Sequence, residues 1–210
     1  MITFALSKGR LANKILKLLK DLNICDLEIS DDDRRLVVET EDKNFRFFLA
    51  KPSDVPTFVE YGVADLGVVG KDTILEENRD ITEVLDLKFG KCRMCVCAKD
   101  SDGLSFQNKS MVRIATKYPN IAKRYFESKH QNTEIIKLNG SVELGPIVGL
   151  SDVIVDIVES GRTLRENGLS DMVTIHELSA RLVANNAALK TKYDDINQII
   201  EGFKSLIKED

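Results

Sequence analysis

An α/β architecture with largely parallel sheets is the fold this chain of 210 residues predicts. Three observations point there. Short apolar, β-branched runs such as Ala64–Val69 and Val153–Val155 alternate with stretches whose apolar residues recur at helical spacing. From Val153 to Glu166 a buried-strand pattern passes through a glycine turn directly into a helical turn. With 43% hydrophobic and 30% charged residues, the chain can bury one large core or two small ones, and residues alone leave both arrangements open.

The elements follow in order. Ile2 to Leu6 reads as a strand. Leu11, Ile15, Leu18, Leu19 and Leu22 then place a helix over Leu11 to Leu22. Arg34 to Thr40 and Phe45 to Ala50 read as strands joined by a polar turn. Asp54 to Tyr61 is a helix with Pro56 in its first turn, ended by Gly62. Ala64 to Val69 is a buried strand. A second series has strands near Arg93–Lys99, Arg113–Thr116 and Glu134–Leu138, and a helix from Pro119 to Lys129. The strand–turn–helix unit at Val153 comes next, with Gly168 as the cap of its short helix. Ile196, Ile199, Ile200, Phe203, Leu206 and Ile207 share one face, so a helix closes the chain over Asp194 to Lys208.

Composition excludes several classes. No apolar run approaches the ~20 residues of a membrane span. Lys8 and Arg10 follow the apolar start rather than precede it, so a signal peptide is not expected and the chain reads as cytoplasmic. A net charge of −4 argues against a broad nucleic-acid surface. Cys92, Cys95 and Cys97 fall in a continuous buried strand, which cannot bend round a metal, so they read as small apolar core thiols. His130 and His176 have no partner motif and read as surface or satisfied histidines.

The chemistry concentrates at Asp156-Ile157-Val158-Glu159-Ser160-Gly161-Arg162-Thr163. A strand–loop–helix junction gathers backbone N–H groups at one spot, favourable for an anion such as phosphate. Ser160 and Thr163 add hydroxyls, and Gly161 lets the backbone approach closely. Asp156, upstream, suits a partner rich in hydroxyls. A phosphate beside a sugar diol describes a phosphoribosyl group.

Glu143, Gly149, Ser151, Ile154, Asp156, Ile157, Ser160, Gly161, Thr163 and Leu164 fall at the spacing of the ATP phosphoribosyltransferase signature, and the chain resembles that family. Ser7-Lys8-Gly9-Arg10-Leu11, Lys51-Pro52-Ser53-Asp54-Val55-Pro56, Gly62 to Gly70 and Arg113 to Pro119 look like its other landmarks, in the family's order. Many phosphoribosyltransferases of the larger group carry a second acid where this chain has Ile157, so they match less well. Many members of the resembled family have Arg where Lys51 stands, which keeps the charge but loses the bidentate fork.

The resemblance implies two lobes like those of type II periplasmic binding proteins, with the active site in the cleft. Lobe I would hold residues 1–90 and 178–210, lobe II residues 91–177. It implies attack of N1 of ATP's adenine on C1 of phosphoribosyl pyrophosphate (PRPP), with Mg²⁺ carried by the substrates and no confident protein metal ligand. By this resemblance Arg10, Lys51, Glu143 and Asp156 are the catalytic set. PRPP would be held by Glu143 and Asp156 on the ribose and by Glu159, Ser160, Gly161, Arg162 and Thr163 on the 5′-phosphate. ATP would meet Lys8, Gly9, Arg10, Asp65 and Tyr118, although Tyr118 reads equally as a buried structural ring. The short form of this enzyme is the better match. It implies a homodimer that joins a regulatory subunit resembling histidyl-tRNA synthetase in a hetero-octamer. Two rival readings are a phosphoribosyltransferase for another base and a solute-binding protein of the same fold without chemistry.

Overall fold

A computed structural model describes residues 1–27 and 35–207. The chain divides into two compact units, Met1–Gly90 with Ser179–Asp210, and Lys91–Leu178. Leu178 falls in the second unit, one residue past the boundary read from the sequence.

The first unit begins with β1 (Ile2–Ser7), α1 (Arg10–Asp21), β2 (Val37–Glu39), β3 (Phe45–Ala50), α2 (Val55–Glu60), β4 (Leu66–Gly70), α3 (Lys71–Glu77) and β5 (Thr82–Asp86). The second unit holds β6 (Cys92–Lys99), β7 (Val112–Thr116), α4 (Pro119–Ser128), β8 (Thr133–Lys137), α5 (Leu144–Ile147), β9 (Val153–Val158), α6 (Arg162–Glu166) and β10 (Leu169–Leu178). The chain then returns to the first unit as β11 (Ala180–Ala184), α7 (Ala188–Thr191) and α8 (Tyr193–Ile207). Arg34 and Lys208, at the ends of two predicted elements, lie outside the described residues.

Both sheets are mixed rather than mostly parallel. The first runs β2-β3-β1-β4-β11-β5 and the second β10-β6-β9-β7-β8. Parallel pairing is confined to β3-β1-β4 and to β8-β7-β9. The polar turn between β2 and β3 makes a hairpin, and a hairpin is antiparallel by construction. β5, β10 and β11, three strands the apolar-run reading does not find, supply further antiparallel pairs.

Packing follows the sequence periodicity. α1 buries Ala12, Ile15, Leu16 and Leu19, and α8 buries Ile196, Ile199, Ile200 and Phe203, in the same core as Phe4 and Phe47. The rings of Phe4 and Phe47 stack at 5.5 Å between centroids. Truncating a fully buried Phe of this kind costs about 3–5 kcal/mol. In the second unit Cys95 and Cys97 are buried in β6, and none of the four cysteines is in a disulfide. His130 and His176 are exposed. Among the described residues no helix is long and apolar enough to cross a membrane.

Candidate active site

In each unit the parallel strands end together, and the candidate residues sit at those ends. In the first unit Ser7 pairs with Ala50 across β1 and β3, and Leu6 with Val68 across β1 and β4. Lys8 and Lys51 therefore leave neighbouring parallel strands at the same level, about 5 Å apart along the sheet. Gly9 precedes α1, and Arg10 is its first residue. Lys8, Arg10 and Lys51 are all exposed, so this edge is a cationic rim. Lys71, at the end of β4, is tied to Glu83, which in turn pairs with Arg181 at 2.9 Å.

Asp65 does not belong to that rim. It precedes β4, at the opposite end of the parallel strands. It is buried, accepts the Thr3 N–H at 2.8 Å, and pairs with Lys192 Nζ at 2.7 Å. Its carboxylate is satisfied by the scaffold, and the expectation that it meets ATP is corrected to a structural role. Tyr118 is also buried, and its backbone N–H donates to Thr116 Oγ1 at 2.8 Å. Of the two readings left open for it, packing is the one this geometry favours.

In the second unit, Thr116 of β7 pairs with Val155 of β9 and donates its hydroxyl to the Val155 carbonyl at 2.6 Å. Lys117 and Asp156 come next on the two strands. Asp156 was expected just past a strand ending at Val155, but β9 continues to Val158, and Asp156 pairs with Cys95 of β6. Alternation puts it on the same face as Ile154 and Val158, which pack with Cys95, Cys97, Val142, Leu164 and Leu169. This apolar setting has an electrostatic result. The Asp156 carboxyl is pushed up to about 6: burial is the main cause, the Ile157 backbone N–H works against it, the nearby Glu143 carboxylate adds to it, and Lys117 opposes it. The two carboxyls expected to act together thus feel each other.

Gly145 explains how Glu143 gets there. A Cβ on Gly145 would lie 2.6 Å from Ser151 Oγ and 2.7 Å from Ala115 Cβ. Only glycine lets α5 press so closely against β7 and the start of β9, and Glu143 immediately precedes α5.

Beyond β9, Glu159 and Ser160 are exposed, and Gly161 stands at φ 67° before α6. That left-handed conformation is costly for a side-chain-bearing residue. A Cβ there would meet Arg165 Nη1 at 3.0 Å and Val158 Cγ1 at 3.7 Å. The space glycine leaves is thus taken on one side by the Arg165 guanidinium, not only by an approaching ligand. The Arg162 N–H faces Ser160 Oγ at 3.4 Å, while its guanidinium turns along the helix to Glu166 at 2.8 Å. Arg162 thus presents its backbone N–H on the loop side, next to Ser160 Oγ, while its exposed guanidinium points along the helix. Thr163 is exposed. α6 has five residues, so its dipole is a small part of any anion affinity and the loop N–H groups and hydroxyls are the main donors.

Sequence reasoning assigned no role to Lys117, Arg165 or Lys192. Lys117 lies inside a quoted motif, Arg113 to Pro119, but only the β7–β9 register reveals its neighbour. Among the described residues no group of three or more His, Cys, Asp or Glu side chains is placed to hold a metal ion.

Comparison with known proteins adds the family. Residues 51–205 match the family model described as HisG: ATP phosphoribosyltransferase. An ATP phosphoribosyltransferase from Lachnospira eligens is 56% identical over 209 residues, covering 99% of this chain and 97% of that protein. The solved ATP phosphoribosyl transferase (HisG:HisZ) complex from Thermotoga maritima contains a chain 36% identical to this one, with a TM-score of 0.86 and full coverage of both chains. A substrate-binding protein of an amino acid ABC transporter aligns with a TM-score of 0.58 at 14% identity, over 99% of this chain and 92% of its own, a likeness of fold alone.

Proposed function

The chain belongs to the ATP phosphoribosyltransferase family, and on that premise we propose how its residues divide the reaction. The reaction joins N1 of ATP's adenine to C1 of PRPP and releases pyrophosphate, the first step of histidine biosynthesis. The adenine nitrogen is already nucleophilic, so no strong base is needed; the work is alignment and stabilisation of the departing pyrophosphate. Mg²⁺ arrives with the substrate polyphosphates and supplies charge neutralisation there.

The observation that carries the assignment is the juxtaposition of Glu143 and Asp156 beside the exposed loop from Glu159 to Thr163. Asp156 and Glu143 hold the ribose hydroxyls. The N–H groups and hydroxyls of Glu159 to Thr163 hold the 5′-phosphate, each bond to the charged group contributing ~1.5–3 kcal/mol. Lys8, Gly9, Arg10 and Lys51, on the cationic rim of the first unit, take phosphate oxygens of ATP and of the leaving pyrophosphate. Arg10 and Lys51 from the first unit, and Glu143 and Asp156 from the second, are the residues proposed to carry the reaction.

The relation to the Thermotoga maritima complex supports assembly with a HisZ-type regulatory partner. In this reading the chain forms a homodimer within a hetero-octamer with that partner, acting in the cytoplasm.

Mixing the protein with ATP, PRPP and Mg²⁺ and following the ultraviolet-absorbing product tests the activity. Product with ATP and none with free nucleobases is the expected result. Turnover of a free base instead of ATP would transfer the assignment to another phosphoribosyltransferase. Binding of PRPP without turnover of any acceptor would leave a solute-binding protein.

A further inference from the structure

We infer that Arg165 is a positioning residue that sets the orientation of the phosphate loop, by holding the Ser160 carbonyl away from the side where N–H groups must point. The inference rests on the reading that Glu159 to Thr163 binds the 5′-phosphate. Arg165 reaches back over the loop, and its Nη1 donates to the Ser160 carbonyl at 3.0 Å. Its backbone N–H donates to the Gly161 carbonyl at 3.1 Å. No described peptide bond is cis. In a trans peptide the C=O and the following N–H point in opposite directions. Holding the Ser160 carbonyl therefore turns the Gly161 N–H to the other side of the loop, and holding the Gly161 carbonyl does the same for the Arg162 N–H. One residue fixes two successive peptide planes, with their donors facing away from it.

The need for such a strap follows from Gly161 itself. Its φ of 67° calls for glycine, but glycine also lets the preceding peptide plane flip at little cost. A flipped plane would present the Ser160 carbonyl oxygen to a phosphate, replacing an attractive donor by a repulsive acceptor. The helical bond to the Gly161 carbonyl survives any side-chain change at position 165. The guanidinium bond alone guards the Ser160–Gly161 plane. Arg162 does not make this bond, since its guanidinium turns along the helix to Glu166 at 2.8 Å.

The test compares Arg165→Ala and Arg165→Lys with the wild-type chain in the assembled enzyme. Losing the strap should raise KM for PRPP and the inhibition constant of ribose 5-phosphate by about five- to tenfold, the scale of one hydrogen bond in this exposed position. The kcat, the KM for ATP and inhibition by inorganic pyrophosphate should stay within about twofold, since none reads the 5′-phosphate. Arg165→Lys should recover part of the loss, and the melting temperature of both variants should match wild type. An unchanged KM for PRPP in Arg165→Ala overturns the inference, as does an equal rise for ATP and PRPP or a lowered melting temperature, which would mark a general structural role. Gly161→Val, measured alongside, separates the two levels. If it abolishes PRPP binding while Arg165→Ala does nothing, the loop assignment stands and the strap falls. If neither variant affects PRPP, the loop assignment falls as well.

Discussion

The two units end their parallel strands in opposite ways. The edge of β3-β1-β4 carries exposed Lys8, Arg10 and Lys51, whereas the edge of β8-β7-β9 carries two carboxyls, one of them pressed into an apolar face. Exposed cations attract polyphosphate over some distance, but salt screens them within about 10 Å at moderate ionic strength. A desolvated carboxyl acts only at contact, and its energy depends on what replaces its lost water. The first edge therefore suits recognition by charge and the second recognition by shape and hydrogen bonding. The same strand topology delivers both, because the edge chemistry is set by the residues that lie at and beyond the end of the parallel pairing, Asp156 within β9 among them.

Breaking the second edge should have the largest effect. Gly161→Val forces a β-branched residue to φ 67° and pushes against Arg165, so at least two charged hydrogen bonds to the 5′-phosphate are lost. PRPP affinity should fall by roughly a hundredfold to ten-thousandfold, at ~3–6 kcal/mol. Calorimetry beside a circular dichroism melt checks that binding is lost while the fold remains.

Next comes Asp156→Asn, expected to lower kcat/KM for PRPP by on the order of a hundredfold and to leave KM for ATP unchanged. In the wild type, kcat/KM for PRPP should fall as the pH drops below about 6, where Asp156 takes up its proton, and the Asn variant should lack that limb. Lys117→Met should move the limb to higher pH, since Lys117 favours the ionised carboxyl. Stability runs the other way. The folded-state value of about 6 lies above the ordinary 3.8, so between these values the folded chain retains a proton the unfolded chain has released. Stability is therefore lost as pH rises through that window. Asp156→Asn should melt higher than wild type above pH 6, by on the order of 2 kcal/mol, and show no gain below pH 4. A variant that is less stable at neutral pH would contradict the desolvated edge.

Asp65→Ala sharpens the comparison from the far side of the first unit. It should cost about 2 kcal/mol of stability by stranding Lys192 and the Thr3 N–H, with no change in KM for ATP. Chemical denaturation and steady-state kinetics on one preparation decide it. The smallest effect is expected for Lys51→Arg. It retains the charge and restores a fork, so KM should change by less than about threefold and in the favourable direction. A large loss there would mean that the first edge depends on a specific ammonium and not on charge.

Strands were legible where an apolar or β-branched run stood out, whether fully buried like the start of β9 or only partly buried like β3 and β8. Val153–Val155 is an unbroken apolar run, as a sheet interior requires, and Ala64–Val69 is one but for Asp65, whose charge the scaffold pairs. β10 escaped because it is an edge strand with Ser170, Asp171, Thr174, His176 and Glu177 along it, and because its pairing slips at two points, which destroys any period of two. α5 hides behind Gly145 and Pro146, both poor helix formers, and is specified by its close approach to β7 instead. For the candidate site, residue types and spacing were legible, but orientation was not. The resemblance places Asp65 with ATP, although its position second in the Ala64–Val69 strand already puts it at the start of that strand, away from the ends that carry Lys8 and Lys51. Asp156 was found by motif, yet its setting depends on Ile154 and Val158 sharing its face and on β9 running past it. Arg165 acts through a bond that reaches back over a turn, and no sequence period marks such a bond.

The position of β11 has a consequence for how the chain is made. It lies between β4 and β5, so the sheet of the first unit has a gap in its interior until residues beyond 180 have been synthesised. Lys91–Leu178, by contrast, is one uninterrupted stretch that can complete its own sheet as it leaves the ribosome. The middle stretch of the chain should therefore reach its folded form first, and β1 to β5 must wait, with apolar strand faces exposed, for a strand made about a hundred residues later.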